Sequence, residues 1–193
     1  MEGDKMNGTK GKMAEAFKEL VCKKSFQKIT ISDIAKESAM TRENFYYHFR
    51  DKYDIMHWIF EQQVVEALPS EEASFEEWFY ALFLNTYKDY RYYRKLLKSL
   101  NIEEIHGNLY GLFEERTRCT IQLCLDDSVW NLRKEKEDFT VAFFVEAFLG
   151  FYINYIKDNE EIDLQLLQIE LQFLFDKFLS FVRIAKDESA EQK

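Results

Sequence analysis

Residues 30–60 read TISDIAKESAMTRENFYYHFRDKYDIMHWIF, and three helix starts are written into that stretch. TISDIAKESA, TRENFYYHF and DKYDIMHWIF each open on a side chain able to accept from the N–H groups that a first helical turn leaves unpaired. Each also carries a polar residue three positions on: Thr30 with Asp33, Thr41 with Asn44, Asp51 with Asp54. Caps at this spacing leave room for two short helices and the start of a third. Two short helices joined by a tight turn are a helix-turn-helix, whose second helix suits the major groove of DNA.

Working outward, Met13, Ala16, Phe17, Leu20 and Val21 repeat at helical spacing and predict a first helix ending near Ser25, with Phe26 to Ile29 as a connector. A fourth helix runs from Lys52 to about Ala67, where Pro69 and Ser70 stop it. Residues 1–8 read as a polar leader, and PSEEAS at 69–74 as the boundary between a head and a body. Beyond it Phe75, Trp78, Phe79, Leu82, Phe83, Thr86, Tyr87 and Tyr90 keep a helical stripe. Further helices are expected near Arg91–Leu100 and Ile105–Leu125, with a polar loop over Asp126–Lys136. Phe139–Ile156 is apolar nearly all round, and Leu164, Leu167, Leu171, Leu174, Phe178 and Phe181 alternate at spacings of three and four.

The expected fold is therefore all-α. A helix-turn-helix domain covers 9–52, the fourth helix at 52–68 connects, and a helical-bundle dimerisation domain covers 74–185. One protomer covers one face of each of the last two helices, so a homodimer is expected through Phe143, Ala147, Gly150, Leu171, Leu174 and Phe178.

Composition narrows the class. A single proline and six glycines among 193 residues leave long stretches without helix breakers. The formal charge of −9 is unsuited to nucleic acid until it is divided. Residues 1–60 carry 11 Lys and Arg against 9 Asp and Glu, whereas 61–193 carry 15 against 26. Lys5 to Lys52 alone hold 11 against 6, so a basic end stays free to meet phosphate. The N-terminus lacks the apolar core of a signal peptide, and Glu146 and Asn154 interrupt the one stretch that resembles a membrane span. Cys22, Cys119 and Cys124 form no CxxC pair and read as reduced core residues of a cytoplasmic protein without membrane partners.

The segment ITISDIAKESAMTRENFYYHFRDKYDIM resembles the N-terminal domain of the tetracycline-repressor (TetR) family over about residues 10–60. The likeness rests on Ile34-Ala35, on Phe45, Tyr46, His48 and Phe49, and on Asp51-Lys52. The form of YYHF…DKYDIMHWIF is similar to regulators related to the dihydroxyacetone-kinase activator. One departure is Ala39, which stands where the family turn usually has glycine.

The resemblance implies a palindromic duplex operator as partner, bound at Thr30, Thr41, Arg42, Glu43, Asn44, Tyr46, Tyr47, His48 and Lys52. Arg suits guanine, Asn suits adenine and Glu accepts from cytosine, while Thr30 and Lys52 stand at helix N-termini that favour phosphate. Ile34, Met40, Phe45 and Phe49 are expected to pack the three helices together. It also implies a ligand-responsive repressor whose body holds a small apolar or aromatic effector. Phe79, Phe83, Tyr87, His106, Tyr110, Phe113, Phe144, Phe148 and Tyr152 are the candidate lining, against the plainer reading of an aromatic core.

Two other readings stand beside this one. An activator or adaptor of the same fold would sense through a partner protein, and a solidly packed stripe would favour it. A helical-bundle carboxylate enzyme would use Glu103-x-x-His106 with Glu146 and Glu170, but it needs a second Glu-x-x-His pair, and Asp54-x-x-His57 is the nearest substitute. Neither cofactor nor metal nor catalytic activity is expected.

Overall fold

A computed structural model of the chain describes residues 8–70, 72–124 and 134–190, with side chains at 8–70, 72–122 and 138–177. Among the described residues there are nine α-helices and no strand. They are α1 (Thr9–Lys23), α2 (Ile31–Glu37), α3 (Arg42–His48), α4 (Lys52–Phe60), α5 (Phe75–Tyr87), α6 (Tyr90–Ser99), α7 (Ile102–Cys124), α8 (Lys134–Asp158) and α9 (Leu164–Ala190). A 3-10 turn at Phe26–Lys28 precedes α2, and α4 runs on into a π turn at Glu61–Val65.

The chain divides into two compact units, Met1–Leu68 with Asn85–Glu104, and Pro69–Leu84 with Ile105–Lys193. In the first, Phe17, Phe26, Ile34, Phe45, Ile55 and Ile59 are fully buried. Rings of this core meet edge-on, Phe17 with Phe26 at 6.1 Å and the buried Phe49 with the half-buried Trp58 at 5.8 Å. Truncating one such ring to alanine costs about 3–5 kcal/mol.

Helix α6 belongs to this unit, although the sequence separates it from the head by the 69–74 boundary. Its buried side, Tyr92, Tyr93, Leu96 and Leu97, packs on α1, where Tyr92 meets Phe17 at 6.3 Å. The Lys18 ammonium joins the two helices through Asp89 at 2.6 Å. The end of the π turn is held by Asn85, whose amide donates to Val64 O at 3.3 Å and Ala67 O at 3.1 Å.

The second unit is built on aromatic rings. Phe79 lies 5.3 Å from Phe83, 6.0 Å from Phe113 and from Phe175, and 5.8 Å from Phe148. Phe83 also meets Tyr152 at 5.0 Å. Helix α8 buries Val141, Val145, Leu149, Tyr152, Ile153 and Ile156. Over Asp138–Asp158 it is also long and apolar enough to cross a membrane. Glu146 and Asn154 sit on its exposed face with Phe139 and Phe143.

On α9 the buried line is Leu167, Leu171 and Phe175, whereas Leu174 turns outward with Leu166, Ile169 and Phe173. The sequence seam continues through Leu174 instead. These three advance by about 40° per step around the helix, and Leu174 falls just beyond the Leu167 edge of that stripe. The side chains of Phe178 and Phe181 and residues 126–133 of the expected 126–136 loop lie outside the described residues; the end of that loop, 134–136, instead begins α8.

Candidate nucleic-acid interface

The three caps read from sequence are all made. Thr30 Oγ1 accepts from the Asp33 N–H at 3.2 Å, and Asp33 Oδ2 accepts from the Thr30 N–H at 2.8 Å. Thr41 Oγ1 accepts from the Asn44 N–H at 3.1 Å, which starts α3. Asp51 Oδ1 accepts from the N–H groups of Tyr53 at 2.8 Å and Asp54 at 2.9 Å, which starts α4. Each cap satisfies donors that the first turn leaves bare, so each of these short helices is held at its start.

The turn between α2 and α3 is closed by two backbone bonds, Met40 N–H to Ala35 O at 2.8 Å and Ala39 N–H to Lys36 O at 3.2 Å. This crossed pair is a Schellman closure, which places its hinge residue in the left-handed region. That residue is Ala39, with φ 54°. Met40 follows half-buried.

With both ends fixed, α3 buries Phe45 and keeps His48 half-buried, and Phe49 is buried just beyond it. The outer arc is open: Thr41, Arg42, Glu43 and Asn44 are exposed, Tyr46 is 53% exposed and Tyr47 84%. Arg42 makes no hydrogen bond or ion pair among the described residues, so its guanidinium is available to a partner. Glu43 differs. Its own backbone N–H, then the Thr41 hydroxyl, hold its carboxyl below the ordinary value, so the side chain folds toward the cap. Tyr47 stands beside His48, ring centres 4.9 Å apart.

Lys52 begins α4 as expected, but its ammonium points inward. It donates to Phe26 O at 2.9 Å, Gln27 O at 3.2 Å and Ile29 O at 3.4 Å, and lies 4.5 Å from the centre of the Phe26 ring. Burial lowers its pKa, against the raising effect of Glu104. The group that the sequence offers to phosphate thus ties α4 to the 3-10 turn.

The residues offered as an effector lining divide. Phe79, Phe83, Phe113, Phe148 and Tyr152 are buried and in ring contact within the second unit. Phe144 stacks on Phe148 at 6.0 Å and is half-buried. His106 lies 6.1 Å from Tyr110 and 3.6 Å from Glu146. Tyr87 belongs to the first unit, where it meets Tyr90 at 5.6 Å. Among the described residues no group of three or more His, Cys, Asp or Glu side chains is placed to hold a metal.

Of the residues offered as a dimer face, Phe143 is 62% exposed, Ala147 and Leu174 are open and Gly150 is half-buried, with no atom near its vacant Cβ position. Leu171 sits in the protomer's own core. Exposed apolar residues of α8 and α9 that the sequence did not assign to this face include Phe139, Leu166, Ile169 and Phe173.

The chain matches the family described as "Bacterial regulatory proteins, tetR family" over residues 15–58, and a "Transcriptional regulator C-terminal region" over residues 73–180. It belongs to the TetR family. It is a transcriptional regulator, with a helix-turn-helix carried by the N-terminal match. The chain is also similar to the HTH-type dhaKLM operon transcriptional activator DhaS of Lactococcus lactis subsp. lactis (strain IL1403), 29% identical over 66 residues. That match covers 34% of this chain and spans about a third (35%) of the relative's own length. A solved structure, "Dihydroxyacetone kinase operon activator DhaS", superposes with a TM-score of 0.60 at 19% identity, covering 90% of this chain and 97% of that one. It shares the fold. The TetR match spans α1 to α4, the same stretch that displays the open arc of α3.

Proposed function

We propose that this TetR-family regulator binds a palindromic DNA operator in the cytoplasm as a homodimer, with α3 of each protomer in the major groove. The observation that carries this is the outer arc of α3. An unpaired Arg42, with Asn44, Tyr46 and Tyr47, is displayed on a helix whose inner side and both ends are fixed. Arg42 reads guanine through two hydrogen bonds and Asn44 pairs with adenine, while the tyrosines present ring faces to thymine methyls and hydroxyls to phosphate. Thr30, Thr41 and His48 frame the arc. The molecule works as a binding protein and not as an enzyme.

The second copy docks on α8 and α9. Phe139, Phe143, Ala147 and Gly150 make one apolar face, and Leu166, Ile169 and Phe173 another, more than scattered exposure accounts for.

An apolar effector that releases the operator is the first reading of the body. The interlocked rings of Phe79, Phe83, Phe113, Phe148 and Tyr152 favour a second, an activator that responds through a partner protein, in line with the activators to which the chain is similar. Selecting bound duplexes from a random pool identifies the operator. Small molecules that dissociate the complex support the first reading. A protein that co-purifies with the regulator and alters its binding, with no small molecule acting alone, supports the second.

A further inference from the structure

Helix α6 carries a charge pattern that the DNA-reading helix leaves unexplained. Between Lys88 and Ser99 there are five cations, Lys88, Arg91, Arg94, Lys95 and Lys98, against the single carboxylate of Asp89. Lys88, Arg91, Lys95 and Lys98 are exposed at spacings of three, four and three, which aligns them on one face. Asp89 is engaged by the Lys18 ammonium at 2.6 Å. Arg91, Lys95 and Lys98 form no ion pair among the described residues, in contrast to Lys18, Lys23 and Lys24 of the α1 segment, which all meet carboxylates.

The C-terminal end of α6 is anchored at the corner where the helix-turn-helix begins. Gln27 donates from its side-chain amide to Ser99 O, so Lys28 and Lys98 are the neighbours of one bonded pair. At the same corner Tyr53 OH donates to Glu104 at 2.8 Å, and Lys52 binds the carbonyls of Phe26 and Gln27. Thr30, the cap of α2, follows Lys28 by two residues. The basic face of α6 thus ends beside the N-terminus of α2, whose cap Thr30 frames the α3 arc.

We propose that Lys95 and Lys98, together with Lys28, form an auxiliary phosphate-binding ridge that carries the contact beyond α3 onto the DNA backbone flanking each half-site. The inference rests on the DNA-binding reading of α3. Its chemistry is sequence-independent: exposed ammonium groups displace counterions from the duplex and add to affinity and salt dependence without choosing bases.

The test compares the full-length wild type with the Lys95→Gln/Lys98→Gln double variant on two duplexes. One ends at the half-sites and the other extends a helical turn past each. The wild type is expected to prefer the longer duplex, and the double variant to lose that preference. On the longer duplex the slope of log affinity against log salt falls by about two to four units if each lysine of a dimer meets a phosphate. Both side chains are exposed, so thermal melting stays at the wild-type value. A double variant with the wild-type slope and length preference overturns the ridge. A wild type that selects no sequence from a random pool overturns the α3 reading beneath it, and the two failures are therefore distinct.

Discussion

At the scale of single residues, Ala39 and Lys52 show how local conformation and distant partners set different roles. Ala39 is held at φ 54°, a region that an L side chain enters only against its own Cβ. The Schellman bonds of Met40 and Ala39 enforce it, and the strain stays in the turn. Ala39→Gly is expected to raise stability by about 1 kcal/mol, after the glycine's greater unfolded-state entropy is set against the relieved strain. Chemical denaturation of the two proteins measures it. Lys52 stabilises the fold from within, since its ammonium serves three carbonyls of the 3-10 turn. Lys52→Ala is expected to lower stability by about 1–3 kcal/mol, in the range for hydrogen bonds to a charged group. It should leave the salt dependence of DNA binding unchanged. A flattened salt slope with unaltered melting would instead mean that the ammonium reaches phosphate.

At the scale of elements, short helices depend on their caps. Asp33 lies well below the ordinary carboxylate range, first through the Lys24 ammonium and then through the Thr30 hydroxyl and N–H. Asp54 is lowered chiefly by the Arg50 N–H at 2.9 Å. A depressed folded pKa gives stability that is complete above the unfolded value of about 4 and disappears as pH falls below it. The head is therefore expected to melt at progressively lower temperature from about pH 4 downward, the range in which these carboxyls protonate. Asp33→Asn should start less stable at neutral pH and lose less on acidification, as followed by circular dichroism. The starts of α2, α3 and α4 were legible in sequence because a cap and its acceptor lie within three residues. The role of Lys52 was not, because its carbonyl partners lie 23 to 26 residues away. Placement of α6 with the head was equally hidden, since amphipathicity shows that a face is buried but not against which helix.

At the scale of the whole molecule, the sequence carried the all-α class, the helix-turn-helix and the family, but the body was read only in part. Aromatic spacing in α5, α7 and α8 fits a cavity wall and a packed core equally well, because composition holds no information on volume. The structure puts Phe79 and Phe83 among rings at 5–6 Å. Likewise a repeat of leucines did not say how far the inward face of α9 extends, and Leu171 proved buried while Leu174, about 60° away, is exposed. The exposed apolar faces of α8 and α9 lead to a further expectation. Phe143→Asp with Phe173→Asp should turn a dimer into a monomer in sedimentation equilibrium and weaken operator binding, since two linked half-site contacts become one.

The central claim is that the open arc of α3, led by Arg42, reads base edges. It is tested most directly by measuring the affinity of wild type and Arg42→Ala for the selected operator and for each of its single-base variants. The expected result is a loss of about 1–3 kcal/mol on the operator, with indifference to base identity at one symmetric position in each half-site. An Arg42→Ala protein that binds the operator and all its variants as the wild type does would contradict it.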